Sequence, residues 1–377
     1  MGKKKDSLEL YFHIPFCIKK CDYCDFLSGP ATRAGQEAYI YALLREMKAA
    51  SAIEKRTVDT VFIGGGTPSV PECGIMEKLL QGIGKNFQLA ADAEVTIEAN
   101  PGTLTLEKLA LYRRYGINRI SIGLQSPENQ ELRALGRIHN YQQFLESYHM
   151  AREAGFSNIN IDLMFAIPGQ SYEGWIQNLR TVAKLGPEHI SAYSLIIEEG
   201  TPFSARKLDL PDEDTEYRMY EDVAAVLGKY GYYQYEISNY AKKDRNCRHN
   251  EGYWQRKDYL GLGLGAASLV GRERFTNTSD MSEYLENSGN LEKIRTDRET
   301  LTREDEMGEF MFLGLRMTKG VSKKDFQEYF GTSIEKIYGE VLEKYKKQGL
   351  LLEEDGRVCL SRAGIHVSNA VMADFLL

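Results

Sequence analysis

Six short segments alternate apolar and polar residues with a period of two, the pattern of strands whose two faces meet different surroundings. They are Leu8–Ile14, Asp59–Ile63, Glu94–Ala99, Arg119–Leu124, Asn158–Met164 and His189–Ile196. Between them lie stretches of helical character, for example Gln36–Ala52, Ile75–Ile83, Leu106–Tyr115, Tyr141–Ala154 and Tyr172–Leu185. Strand and helix in alternation predict parallel strands joined by right-handed crossovers. Six such units are too few for a closed eight-stranded barrel, so the pattern predicts an open, partial (β/α)6 barrel over residues 1–200.

The alternation also predicts what faces inward. Leu10, Phe12 and Ile14 oppose Tyr11 and His13; Val95, Ile97 and Ala99 oppose Thr96, Glu98 and Asn100. Ile120, Ile122 and Leu124 oppose Ser121, Gly123 and Gln125, and Ile159, Ile161 and Leu163 oppose Asn160 and Asp162. The apolar sets should pack on the helices and the polar sets line the barrel. A closed barrel fills its interior with Val, Ile and Leu layers. An interior of carboxylates and amides is costly unless paired, so water or a polar ligand is expected there. A flat antiparallel sheet with one solvated face would alternate similarly, but strand–helix order argues against it.

After Gly200 the pattern changes. Residues 201–300 predict an α+β extension: a helix over Glu213–Lys229, an aromatic stretch "YGYYQYEISNYAKKDRNCRHNEGYW", then the glycine-rich "YLGLGLGAASLVG". Residues 301–377 predict a small winged-helix-like domain, with helices Asp305–Met317, Lys323–Phe330 and Ile334–Gln348, a hairpin "LLLEEDGRVCLS" and a last helix. Such modules often bind DNA, but Glu304, Asp305, Glu306 and Glu309 make this one a poor candidate. The net charge of -7 likewise leaves no basic footprint for nucleic acid. Lys3–Lys5 predict only a solvated basic tail. No apolar run reaches the ~18 residues of a membrane span, and the N-terminus lacks a signal-peptide core. The expected location is cytoplasmic, with peripheral membrane contact left open.

In that compartment, clustered cysteines more often bind metal or do redox chemistry than pair as disulfides. Three of the six cysteines, Cys17, Cys21 and Cys24, fall in "FHIPFCIKKCDYCDF", spaced C-x3-C-x2-C after the first strand. On a buried helix these offsets would share a face, but Pro15, Lys19, Lys20 and Asp22 argue against one. A structural zinc site usually takes four protein ligands, and no fourth follows closely. Thiolates also hold iron–sulfur clusters, and three on a four-iron cube would leave one iron open.

This motif, with "GGGTPS" at Gly64–Ser69 ending the second strand, resembles the radical S-adenosylmethionine (SAM) superfamily. The resemblance implies a [4Fe–4S] cluster on Cys17, Cys21 and Cys24, with SAM on its open iron. It implies a SAM site at Tyr11, Tyr23, Gly65, Gly66, Thr67, Glu98, Gln125, Arg137 and Asp162. Arg137 suits a carboxylate and Asp162 suits ribose hydroxyls. Within the superfamily, "LYFHIPFC", "EANPGT", "SIGLQS", "LGRIH" and "DLMFAIPGQ" resemble oxygen-independent coproporphyrinogen III oxidases and their heme-chaperone relatives of the HemW type.

Three features are expected to separate these two. The oxidases carry a further cysteine where this chain has Phe26. They also carry an extension before the first strand, for which a strand beginning near Leu8 leaves no room. "HNEGYW", His249–Trp254, is similar to the chaperones' H-N-x-x-Y-W heme motif. The resemblance therefore implies a chaperone that holds heme through His249 and passes it to an acceptor protein, with Cys247 a weaker ligand candidate. A core-satisfied histidine is the plain alternative for His249, and a porphyrinogen decarboxylase the enzymatic one. A transcription factor with a cluster sensor would rest on the winged-helix guess alone.

Overall fold

A computed structural model describes residues 7–376, so the Lys3–Lys5 run lies outside the described residues. Strands β1 Ser7–Ile14, β2 Thr57–Gly65, β3 Leu89–Ala99, β4 Arg119–Gln125, β5 Ile159–Phe165 and β6 His189–Ser194 pair in parallel in that order. The crossovers are α1 Arg33–Ile53, α2 Cys73–Asn86, α3 Leu106–Arg114, the pair α4 Asn129–Ala134 and α5 Tyr141–Glu153, and α6 Tyr172–Leu185. Leu8, Leu10, Phe12 and Ile14 are fully buried in one cluster with Tyr39, Leu43 and Met47 of α1. The expected apolar face thus packs on the helices.

The helix ends follow from local chemistry. Thr32 and Ser171 accept hydrogen bonds from backbone N–H groups in the first turns of α1 and α6. Asn140 and Gln143 form a reciprocal capping box at α5. Gly186 closes α6 in the left-handed region at φ 73°.

The extension covers both edges of the barrel, which alternation alone did not reveal. Helix α7 Glu213–Gly228 packs on α6, where Trp175 Nε1 donates to the carbonyl of Met219 at 3.0 Å. Strands β7 Tyr233–Gln234 and β8 Asn239–Ala241 then add antiparallel to the β6 edge. Helix α8 Arg248–Trp254 crosses the end of the barrel where the strands begin. Strand β9 Tyr259–Leu262 adds parallel to β1, followed by β10 Ala267–Val270, β11 Glu273–Asn277 and, after α9 Met281–Asn287 and α10 Leu291–Ile294, β12 Arg295–Thr300. The result is one twelve-stranded sheet. Its extension strands pair the N–H and C=O groups that β1 and β6 would otherwise leave open.

The C-terminal region has its own core, built on Met311, Phe326, Tyr338 and Phe375. Helices α11 Arg303–Gly314, α12 Lys323–Phe330 and α13 Ile334–Lys347 are closed by an antiparallel sheet of β13 Val321–Ser322, β14 Leu351–Glu354 and β15 Arg357–Leu360. The sheet has one strand more than the expected hairpin. The expected last helix is two, α14 Arg362–His366 and α15 Ser368–Ala373, because Val367 leaves helical geometry at φ -107°, ψ 24°.

Glu46 ties α1 to the extension. Its buried carboxylate accepts from Gly263 N at 2.9 Å, Asn277 Nδ2 at 2.6 Å and Tyr284 Oη at 2.5 Å. Burial pushes its pKa up to about 7. The folded state therefore holds this proton more tightly than the unfolded chain does. The resulting stability is complete below the ordinary glutamate pKa and is lost as pH rises toward 7. Glu46→Gln should accordingly gain stability relative to wild type between pH 5 and pH 8, read as urea midpoints; a gap independent of pH would contradict this.

Candidate functional site

The polar faces of β1–β6 do line one lumen, and the two ends of that lumen differ. At the end where the strands finish there is a cavity of about 300 Å³. Its lining brings together Cys17, Cys21, Cys24, Tyr23, Gly65, Gly66, Thr67, Glu98, Gln125, Arg137 and Asp162. These come from five separate segments of chain, and the parallel topology gathers them because every loop after a strand opens on the same side.

The cysteine loop is fixed from below by the glycine loop. Gly66 N donates to the Ile14 carbonyl at 2.9 Å and Thr67 N to the Phe16 carbonyl at 2.7 Å. A Cβ on Gly66 would lie 2.8 Å from that Phe16 oxygen, so this approach requires glycine. From the side, Asp22 pairs with Arg206 at 2.7 Å, and its carbonyl accepts from Phe203 N. The thiols have polar neighbours: Cys17 Sγ lies 3.6 Å from Thr67 Oγ1, and Arg137 Nη1 points at Cys21 Sγ from 3.6 Å. Burial raises the Cys24 thiol pKa above its ordinary value. Among the described residues no three His, Cys, Asp or Glu side chains converge as ligands of a single ion.

The carboxylates Glu98 and Asp162 are held by separate protein partners. Glu98 accepts from Gly65 N at 3.1 Å, and its pKa is pushed up to about 8 by burial, then by the nearby Asp162. Asp162 is also raised by burial, against hydrogen bonds from Asn160 Nδ2 at 2.7 Å and Ser121 Oγ at 3.1 Å. Arg137 Nη2 donates to Asn100 Oδ1 at 2.9 Å and to the Gly123 carbonyl at 2.5 Å. Gln125 ends β4 in the left-handed region at φ 72°, after a register shift, and accepts from Tyr193 Oη at 2.8 Å. A non-glycine residue in that region stores strain of the kind found at ligand clamps.

Two expectations about site residues change. Tyr11 does not line the cavity. Its hydroxyl bonds to His13 Nδ1 at 3.0 Å, and the His13 ring in turn sits under Gly65. Conversely, Asn100, Tyr193, Ile196 and Glu198 line it without having been singled out. Asn100 was legible from the alternation of β3. Ile196 and Glu198 follow the last strand, where no pattern marks them.

The end where the strands begin is filled. His249 is 1% exposed. Its Nδ1 lies 2.7 Å from Thr60 Oγ1, its Nε2 lies 3.0 Å from Tyr253 Oη, and its ring stacks on Phe62 with centroids 5.2 Å apart. Burial, reinforced by Arg119 and Lys257, pushes its pKa down to about 3. Glu94 accepts from the backbone N–H of both Arg248 and His249 at 3.2 Å, neutralising the start of α8. His189 bridges Asn160 at 2.6 Å and Tyr235 at 2.8 Å. So the side chains at this end bond one another across the lumen, and an open cavity of about 610 Å³ adjoins them, lined by Glu94, Asn118, Asn158 and Arg248 among others. In this conformation both His249 ring nitrogens have partners, the core-satisfied arrangement that was the plain alternative for this residue. Cys247 is fully buried, and burial pushes its thiol up to about 12, so it stays protonated beside Glu94.

A barrel of this topology with a three-thiol loop at its mouth is the radical SAM fold. The Radical SAM superfamily model matches residues 11–182 and the HemN C-terminal domain model matches residues 301–367. The structure is similar to coproporphyrinogen III oxidase (HemN) from Escherichia coli, with a TM-score of 0.88 over 100% of this chain and 91% of that one; at 23% identity this shows the fold alone. In sequence the chain is 37% identical to the heme chaperone HemW of Bacillus subtilis, over 97% of this chain and 98% of that protein. It is 38% identical to that of Escherichia coli, over 93% of each. The chain belongs to the heme chaperone HemW family.

The geometry of the filled end makes a direct prediction. In the ligand-free protein His249 should resist diethyl pyrocarbonate at pH 6, while the more exposed His149 reacts. Peptide mapping that finds both modified at equal rates would contradict the packing of α8.

Proposed function

We propose that this chain binds heme as cargo and delivers it to an acceptor protein, carrying a [4Fe–4S] cluster and SAM at the mouth of the barrel. One juxtaposition supports the cofactor reading: a single cavity holds all three cysteines together with Glu98, Gln125, Arg137 and Asp162. The cradle has the shape such a group needs. Gly64, Gly65 and Gly66 keep the loop free of Cβ atoms beside Glu98, His13 and the cysteine loop. Gly123 leaves room beside Arg137 and Asn100. The names of the relatives support the heme reading, and so does the presence of "HNEGYW" in α8.

In this reading Cys17, Cys21 and Cys24 ligate iron and leave one iron to SAM. Together the bound pair supplies one-electron chemistry. Arg137, already aimed into the cavity, neutralises a carboxylate there. Asp162 and Ser121 accept and donate toward hydroxyls. Glu98, with its raised pKa, holds or receives a proton at Oε1 or Oε2 near pH 8. Phe26 stands 61% exposed beside the cavity, where the oxidases carry a further cysteine. The acceptor is a heme-binding protein of undetermined identity, and the HNxxYW segment spanning His249 is the proposed cargo site.

Two measurements test the cofactor reading. After anaerobic reconstitution, Cys21→Ser should lose the brown four-iron absorption while Cys73→Ala keeps it. In the same preparations Asp162→Ala should keep the cluster and weaken SAM by roughly 1.5–3 kcal/mol, the worth of hydrogen bonds to a charged group, in isothermal titration. Equal iron loss in both cysteine variants, or unchanged SAM affinity, would refute those assignments. Separately, the reconstituted protein should bind hemin with a Soret band that His249→Ala shifts, and should pass the heme to an apo-acceptor. It should form no protoporphyrinogen IX from coproporphyrinogen III; vinyl product above a no-protein control would favour the decarboxylase instead.

A further inference from the structure

Helix α8 is wedged between the barrel floor and the C-terminal module. On the barrel side, Glu94 caps its first N–H groups and Thr60 bonds the His249 ring. Gly252 presses on Glu9 so closely that a Cβ would lie 1.9 Å from Glu9 Oε1. On the other side, the Arg316 guanidinium covers the Trp254 ring at 4.4 Å. Just past α8, Arg256 Nε donates to Glu309 Oε2 at 2.8 Å, and Arg256 Nη1 lies 3.3 Å from Glu306 Oε1. Both glutamates belong to α11.

This closed arrangement is expensive locally. Arg256 N bonds the Tyr253 carbonyl and Lys257 N bonds the Gly252 carbonyl, at 3.0 and 2.9 Å. These are the paired bonds of a Schellman ending, whose left-handed residue is usually glycine. Here that residue is Arg256, at φ 52°. An arginine is strained there. Among the described residues, both Glu9 carboxylate oxygens, Trp254 Nε1, Arg256 Nη2 and Arg316 Nε, all buried near α8, have no hydrogen-bond partner within the protein. Glu9 lies 3.6 Å from Lys257 Nζ and 3.9 Å from His249 Nδ1. Each unsatisfied buried group opposes the closed state, and opening would return it to water. Strain and unmet hydrogen bonds in one place mark a segment whose closed and open states lie close in free energy.

We propose that Arg256, Glu306 and Glu309 form a latch by which the C-terminal module holds α8 in the barrel floor, and that releasing this latch lets α8 swing out and offer the His249 ring to heme. The inference rests on the heme-binding reading and adds the control of that site. Heme then binds the open minority and its apparent affinity is set by the latch. Contact of an acceptor with the C-terminal module would bias the same equilibrium.

The test uses the full-length protein. Hydrogen exchange by mass spectrometry is read over residues 248–257 in wild type and in Glu309→Gln, with stopped-flow hemin association on the same samples. Glu309→Gln should speed exchange in α8 by about tenfold, as expected for weakening one charged contact in a local opening. Exchange in β4 and β5 should stay unchanged. Hemin association should quicken by the same order and reach the wild-type Soret band. Unchanged α8 exchange, or faster exchange with slower association, overturns the latch. Faster exchange with no heme bound by either protein would refute heme binding while the latch stands. Because Glu309 also pairs with Arg274, Arg256→Gln is the second variant. It keeps a strained non-glycine residue at the left-handed position, removes the ion pairs and should open α8 likewise; unchanged or slower exchange in it overturns the latch.

Discussion

Arg119 lies 2% exposed in the lumen of a parallel barrel, and much of the molecule follows from finding it company. A buried guanidinium is unfavourable unless carboxylates or other acceptors surround it. Cys247 and Tyr235 of the extension lie near it, as do the carboxylates of Glu94 and Asp162 on the strands to either side, while its Nε has no hydrogen-bond partner among the described residues. Each of these neighbours then needs partners of its own. Glu94 finds them in the first turn of α8, Asp162 in Ser121 and Asn160, and Tyr235 in His189.

That chain of obligations divides the lumen into two storeys. The floor is packed with protein groups that pair only in part: His249 and His189 find partners, while Glu9 and Arg119 keep polar atoms without one among the described residues. At the mouth, Glu98 and Asp162 remain protonation-prone beside a cavity. A barrel filled throughout with Val, Ile and Leu would be more stable and could hold nothing. Here stability is carried instead by the apolar shell between strands and helices, where Leu10, Phe12, Ile14, Ile97, Ile120 and Ile161 are fully buried.

The extension and the C-terminal module complete this division. Strands β8 and β9 close the two open edges of the barrel, and Glu46 fixes the second of them to α1. The C-terminal module meets the rest of the chain at α8 and the turn after it, by Trp254 and Arg256, at the β7–β8 turn, by the backbone bonds Ile237 N to Arg316 O and Thr318 N to Tyr235 O, and at α7, where Arg362 and His366 pair with Glu221. It therefore touches the segment carrying the heme motif and leaves the cofactor mouth free.

The six strands, their inward faces and the thiol loop were legible in the sequence, because a period of two and a short cysteine spacing are local properties of the chain. Glu98, Gln125 and Asp162 could be placed on the inward face for the same reason, since a strand's register fixes which way each side chain points; their grouping with Gly65 in one site was implied by the family resemblance. The fate of His249 was not legible. Its motif reads identically whether the imidazole faces solvent or Thr60 and Tyr253, two partners supplied by β2 and by the fold of α8 itself. The partner of Tyr11 was not legible either: its hydroxyl bonds His13 on its own strand. Sequence determined which groups each strand carries inward. Only the tertiary structure decided which of those groups are left unsatisfied, because hydrogen bonds between segments far apart in the chain have no period to read.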